Sequence, residues 1–272
     1  MQHQEFEPPE QLRNSIKCFW HNKRQAEPRQ SSFEVPPDGY AEIIFHFSND
    51  LSIVINGKLQ PLPSPFMMGL LNQPVVFNSI SGLDIIGIRC FPWTVFDLLN
   101  LPPGNDGVRI FKHPIAKLHP MLTSLVSSDN INDAIALIKQ YFIDQLALVN
   151  SDTMLIKAGE AMRNAKGTLQ VSQVAEAAHA TVRTLERRFK QSSGYSVKDV
   201  SGLMRFEQAR NHLWLNPDCN LAGLAHELGY ADQSHLSKEF KRYSGTTPAA
   251  FARKSKKGKQ ALGNDFITFT QA

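Results

Sequence analysis

Wound at 100° per residue, Arg183, Glu186, Arg187 and Lys190 fall within about 100° of arc, while Leu185 and Phe189 point the other way. A guanidinium fork fits the O6/N7 edge of guanine, and each good bidentate pair contributes about 1 to 3 kcal/mol of discrimination, so Arg183 and Arg187 are expected base contacts. Glu186 can accept from cytosine N4. Some fifty residues on, Leu236, Phe240 and Tyr243 mark an inner face, and Ser234, Ser237, Lys238 and Lys241 an outer one. There Gln233 can read adenine, Ser234 is compatible with more than one base, and Lys238 reaches a base or a phosphate. Thr184, Lys190, Arg210 and Lys241 are the phosphate candidates.

These two helices belong to a repeat. FKQSSG at residues 189–194 returns as FKRYSG at 240–245, and QVAEAA at 173–178 corresponds to GLAHEL at 223–228. Each copy reads as a short apolar helix, a tight connection, a longer amphipathic helix and then glycine, which is the helix-turn-helix order. Residues 196–215 between the copies read as one helix with Ser196 as its N-cap and Gly202 as a weak point. A stiff helix of this length, about 30 Å, can hold two reading helices in successive major-groove turns, which recur every ~34 Å.

Composition agrees with such a division. The chain has 272 residues and a net charge of +4, but residues 1–150 carry 11 Lys+Arg against 14 Asp+Glu, and residues 151–272 carry 18 against 11. An acidic half joined to a basic half points the second at a polyanion. Cys18, Cys90 and Cys219 show no paired spacing, so neither a disulfide framework nor a zinc ribbon is suggested, and a reducing cytosol fits. The N-terminus lacks an export signal, and the richest apolar stretch, residues 131–149, is broken by Asp133, Lys139 and Asp144, so no membrane partner is expected.

The first 130 residues read as strands. YAEIIFHF at 40–47 is β-branched and aromatic, Asn56-Gly57 suits a type I′ hairpin between LSIVI and KLQPL, and FMMGL, PVVFNSI and LDIIGIRC follow between turn residues. Even spacing favours an antiparallel barrel or sandwich. A metal-dependent barrel enzyme would need a cluster of ligands, and only Glu42 and His46 share a strand face; we read them as a half-exposed Glu and a satisfied His, and expect no metal and no cofactor. Short helices are expected at 93–100 and 115–126. Beyond them, Ile131, Ile135, Ile138, Phe142 and Leu146 form one apolar stripe that packs on its own barrel or pairs with a second copy. Asp152 is placed to cap a helix at 153–163.

TLERRFK with SGYS, RFEQAR, and LAHELGYADQSHLSKEFKRYSGTTPAAF together resemble the C-terminal domain of AraC/XylS-type transcription regulators, over about residues 153–253. The pattern departs from the family at Gln170, where a capping Ser or Thr is usual, and at His179, where Gly is frequent. CFW at 18–20, PPDGYAEIIF and GIRCFPW are similar to the strand-rich sensor region of a branch of that family. With the strand spacing, the apolar stripe and the charge run, the resemblance gives an expected α+β multidomain chain: an antiparallel β barrel or sandwich with helices at 1–150 for effector sensing, with dimerisation through the stripe residues Ile131, Ile135, Ile138 and Phe142, an all-α double helix-turn-helix domain at 151–255, and a flexible basic tail at 256–272. It also implies a bacterial, cytoplasmic, non-enzymatic DNA-binding transcription activator or repressor. Its partners would be double-stranded DNA, RNA polymerase, a small-molecule effector and a second copy of the chain. Two other readings stay open: a constitutive DNA binder with no effector, and a DNA-repair methyl-acceptor protein, against which the three scattered cysteines argue.

Overall fold

The computed structural model describes residues 2–25, 32–104, 107–147 and 152–261, with side chains to residue 256. The strands are β1 (Gln2–Phe6), β2 (Ile16–Gln25), β3 (Ser32–Val35), β4 (Ala41–His46), β5 (Ser52–Ile55), β6 (Lys58–Pro61), β7 (Phe66–Met68), β8 (Val75–Asn78), β9 (Gly82–Cys90) and β10 (Val108–Arg109). The helices are α1 (Val95–Leu98), α2 (His119–Ser127), α3 (Ile131–Leu146), α4 (Thr153–Asn164), α5 (Val171–Ala177), α6 (Val182–Ser193), α7 (Val197–Leu215), α8 (Leu221–Glu227), α9 (Gln233–Ser244) and α10 (Pro248–Ala261).

The strands form two antiparallel sheets, ordered β1-β2-β9-β4-β7-β10 and β3-β8-β5-β6, and they make a sandwich rather than a closed barrel. All six residues of β4 are buried because the larger sheet is covered on both faces. Ile44 and Ile85 point into the core shared with Phe33, Ile53 and Phe77 of the smaller sheet. Ile43, Phe45, Ile86 and Ile88 point to the opposite face, against Leu122 of α2 and Ile135, Ile138 and Phe142 of α3. Asn56 (φ +51°) and Gly57 (φ +73°) close the β5–β6 hairpin as expected of a type I′ turn.

This arrangement corrects the expectation of dimerisation through Ile131, Ile135, Ile138 and Phe142. Ile138 and Phe142 are wholly inaccessible and Ile135 is nearly so, while Ile131 is half-buried at the edge of the same core, so the stripe is consumed by its own sheet. The basic tail also differs: α10 runs to Ala261, and Lys256 is paired with Asp218 at 2.8 Å. Residues 262–272, and the 148–151 stretch at the expected domain boundary, lie outside the described residues.

The helical half packs around a core of Leu155, Met162, Leu185, Phe189, Leu203, Phe206, Leu213, Leu236 and Phe240. Leu70, Phe91 and Trp93 from the strand-rich part join that core. Trp93 stacks on Phe91 at 5.2 Å and meets Phe189 of α6 at 5.9 Å, and its carbonyl accepts from Ser192 Oγ at 2.7 Å.

Candidate nucleic-acid interface

Local chemistry fixes both ends of each reading helix. Thr181 Oγ1 accepts from Thr184 N at 3.2 Å to start α6, and Asp232 Oδ1 accepts from His235 N at 2.8 Å to start α9. Gly194 and Gly245, with φ of +80° and +70°, end them in the left-handed conformation that favours glycine. The tight connection also needs a left-handed residue. Gly229 supplies it before α9 (φ +71°), whereas His179 is held at φ +52° before α6.

With Leu185 and Phe189 buried beneath α6, and Leu236, Phe240 and Tyr243 beneath α9, the remaining faces turn outward. Arg183, Arg187 and Lys190 are exposed on α6; Gln233, Ser234, Lys238 and Lys241 are exposed on α9. Glu186 is half-buried and its Oε2 accepts from Val197 N at 3.3 Å, so it ties α6 to the first turn of α7. Thr184 is also half-buried, its hydroxyl accepting from Thr181 Oγ1 at 3.0 Å within the cap. Arg188, also exposed on α6, is held by the N-cap of α4: its Nη2 lies 2.6 Å from Asp152 Oδ2.

One expected phosphate contact is corrected. Arg210 is 5% exposed and donates from Nη1 to the Pro37 carbonyl at 3.1 Å, on the side of α7 that faces the strand-rich part. A guanidinium enclosed in this way has no path to a phosphate.

The nineteen residues of α7 span about 28 Å and carry both units. Ser196 caps it by accepting from Asp199 N at 3.1 Å. Phe206 meets Phe240 and Tyr243 at 5.1 and 5.3 Å, and Arg205 Nη2 reaches both oxygens of Glu239 at 3.2 Å. Gly202, a weak point by helix propensity, lies where α9 crosses: a Cβ there would stand 3.0 Å from Tyr243 Oη and 3.3 Å from Glu239 Oε2.

On its other side α7 meets a buried ion cluster. Arg89 at the end of β9 reaches Asp38 at 2.6 Å, Glu207 of α7 at 3.4 Å and Glu42 at 3.7 Å. Burial works against its charge, and the surrounding Asp38, Glu42 and Glu207 more than offset this, holding it protonated. Burial pushes the Glu207 carboxyl up, with Arg89 pulling it back. Glu42 is 3% exposed rather than half-exposed as expected, and burial likewise raises it. His46 is satisfied as expected, its ring nitrogens 2.9 and 3.0 Å from the Ser48 and Leu62 carbonyls. Among the described residues no three His, Cys, Asp or Glu are grouped to hold a metal ion, and no helix is long and apolar enough to cross a membrane.

Residues 174–254, which contain α6 to α9, match a helix-turn-helix domain family, and residues 4–105 match a domain of unknown function, DUF6597. Residues 174–254 form an AraC/XylS-type helix-turn-helix domain. The chain is 32% identical over 81 residues to the HTH-type transcriptional regulator RipA of Corynebacterium glutamicum, covering 30% of this chain and 24% of RipA. It is 26% identical over 121 residues to the Msm operon regulatory protein of Streptococcus mutans, covering 43% of each. The matched stretches thus span less than half of these relatives' lengths. Among solved structures, ToxT from Vibrio cholerae with an unsaturated fatty acid bound aligns with a TM-score of 0.47 at 12% identity, over 88% of this chain and 96% of ToxT.

Within the AraC-type domain Arg183, Arg187, Lys190, Gln233, Ser234, Lys238 and Lys241 carry their chemical signal on exposed side chains, whereas Glu186 and Thr184 are half-buried and Arg210 is enclosed. What the sequence left unseen is the set of contacts behind them. PPDGYAEIIF supplies Pro37, Asp38 and Glu42, and GIRCFPW supplies Arg89, Phe91 and Trp93; Pro37 and Arg89 meet α7, while Phe91 and Trp93 pack against α4 and α6.

Proposed function

We propose that the chain is a sequence-specific DNA-binding transcription regulator in which one protomer reads two successive major-groove segments, and that its strand-rich part modulates that binding in response to a small molecule. The supporting observation is the docking of two capped, outward-basic helices, α6 and α9, onto the single helix α7. Arg183 and Arg187 read guanine edges in one segment. Gln233, Ser234 and Lys238 face the other, and Lys190 and Lys241 neutralise phosphates. Glu186 and Thr184 serve chiefly to position α6.

Modulation is supported by the shared core and ion cluster, since anything that shifts the strand-rich part acts directly on α6 and α7. A methyl-acceptor role requires a reactive thiolate, whereas burial pushes the Cys18 thiol up to about 12 and the Cys90 thiol well above its ordinary value. Selection of bound fragments from genomic DNA, followed by gel shifts on the enriched sequence, tests the proposal. Retention of a defined sequence over competitor DNA is expected, and equal retention of all sequences would overturn it.

A further inference from the structure

The two reading units share a sequence pattern but differ in what packs behind them. Under the repeat, Phe189, Ser192 and Ser193 of α6 correspond to Phe240, Tyr243 and Ser244 of α9. The last pair behaves alike: Ser193 Oγ donates to the Phe189 carbonyl and Ser244 Oγ to the Phe240 carbonyl, each at 2.7 Å. The other two pairs part company. In the second unit Phe240 meets Phe206 of α7 at 5.1 Å and Phe251 of α10 at 5.4 Å, and Tyr243 meets Phe206 at 5.3 Å, so these rings all come from the helical half. In the first unit the ring against Phe189 is Trp93 of the strand-rich part, at 5.9 Å. Ser192, small where its counterpart is Tyr, points its hydroxyl at the Trp93 carbonyl, 2.7 Å away, and at the Asp97 carboxylate of α1, 2.9 Å away.

Trp93 is a wedge between α4 and α6. It is buried, it stacks on Phe91 at 5.2 Å, and Gly159 of α4 is what admits it, since a Cβ there would overlap the indole ring. One turn along α4, the Arg163 guanidinium lies 4.1 Å over the Phe91 ring. Tyr195, in the connection from α6 to α7, donates to the Leu70 carbonyl at 2.8 Å. The strand-rich part thus forms a wall of the first unit on the Phe189 side of α6, and Arg183, Arg187 and Lys190 stay exposed. Such a wall supports the reading helix from behind without covering the face that meets DNA.

We propose that Trp93 is a positioning residue for sequence reading: it holds α6 at the angle at which Arg183 and Arg187 meet guanine edges, so that reading of one groove segment depends on the strand-rich part and reading by α9 does not. This rests on the reading of the chain as a regulator that contacts two groove segments. Paired hydrogen bonds to a base edge tolerate only small shifts in distance and angle. Deleting the indole leaves a hole behind Phe189 that its neighbours fill only in part, so α6 loses its fixed seat while the caps at Thr181 and Gly194 keep it helical. The seat of α9, made by Phe206, Phe251 and the pairing of Arg205 with Glu239, is untouched by that deletion.

The test is a set of gel shifts with the full chain on three duplexes: the selected operator, and two versions in which one groove segment or the other is replaced. The α6 segment is the one whose preference Arg187→Ala erases. Wild type is expected to lose at least about tenfold in affinity on either replacement. In Trp93→Ala the loss on replacing the α6 segment is expected to shrink below about twofold, while the loss on replacing the α9 segment keeps its size. Trp93→Phe, which keeps a ring against Phe189, is expected to recover most of the α6 preference. Ile138→Ala, which weakens the strand-rich core away from α6, is expected to keep both preferences. Ser192→Ala, a milder change at the same seat, is expected to reduce the α6 preference alone, and it decides the matter if Trp93→Ala shows no cooperative thermal transition. Both preferences intact in the folded variant, both lost together, or the same loss in Ile138→Ala overturns the proposal and leaves the two-segment reading standing. A wild-type chain indifferent to both replacements overturns that reading, and the proposal with it.

Discussion

Arg210 of α7 donates to the carbonyl of Pro37 at 3.1 Å, joining the scaffold helix of the DNA-binding half to the loop before β4. Removing this buried guanidinium strips Glu207 and Asp38 of a neighbouring positive charge. Arg210→Ala should destabilise the chain by on the order of 3 kcal/mol in a denaturant titration. Because Arg210 is enclosed, the salt dependence of DNA binding by the folded fraction should keep its slope; a slope shallower by about one unit would restore Arg210 as a phosphate contact.

Lys241 is exposed on α9 and should behave in the opposite way. Lys241→Ala should leave stability within about 0.5 kcal/mol and weaken all DNA sequences alike, with the slope of log affinity against log salt about one unit shallower.

His179 adopts φ +52° where the second unit has Gly229. A left-handed conformation strains a side chain bearing Cβ, so His179→Gly should raise stability by up to about 1 kcal/mol, measured as a shift in the denaturation midpoint at constant m-value.

Ile138 has no exposure and packs in the core between α3 and the larger sheet. Ile138→Ala should cost about 2 to 5 kcal/mol and leave the sedimentation coefficient of the folded chain unchanged. A change of oligomeric state without loss of stability would return α3 to the role of a dimer helix.

Burial raises the Glu42 carboxyl from 4.5 to about 8, with Arg89 opposing and Asp38 adding to the rise. A folded-state value above the unfolded one means that the neutral acid favours folding. Its contribution is complete below the unfolded value near 4.5 and is lost as pH climbs through about 8. Denaturation midpoints followed across that range should fall for the wild type and fall less for Glu42→Gln.

Much of this was legible because periodicity and end signals are local. The repeat, the Ser196, Asp152 and Asn56-Gly57 signals, and the outward placement of Arg183, Arg187, Lys238 and Lys241 all follow from spacing. The pairing of the sheets, by contrast, is set by contacts between distant residues. β2 shows in the sequence only through the motif CFW, and β1 and β3 leave no strand signal, because β1 is polar and β3 short. The α3 stripe was visible but its cover was not, since an apolar face looks the same whether a sheet or a second copy buries it. The role of Arg210 is hidden for a related reason: a lone arginine on a helix does not announce that a carbonyl 173 residues away awaits it.

Hydroxyl-radical footprinting of the full chain on its selected operator tests most directly whether one protomer reads two groove segments. Two protected segments about 10 base pairs apart on one face of the duplex are expected at one protomer per site, and Arg187→Ala should erase sequence preference in one segment only, at a cost of about 1 to 3 kcal/mol. A single protected segment, or loss of preference spread equally over both, would contradict the placement of α6 and α9 in successive turns of the groove.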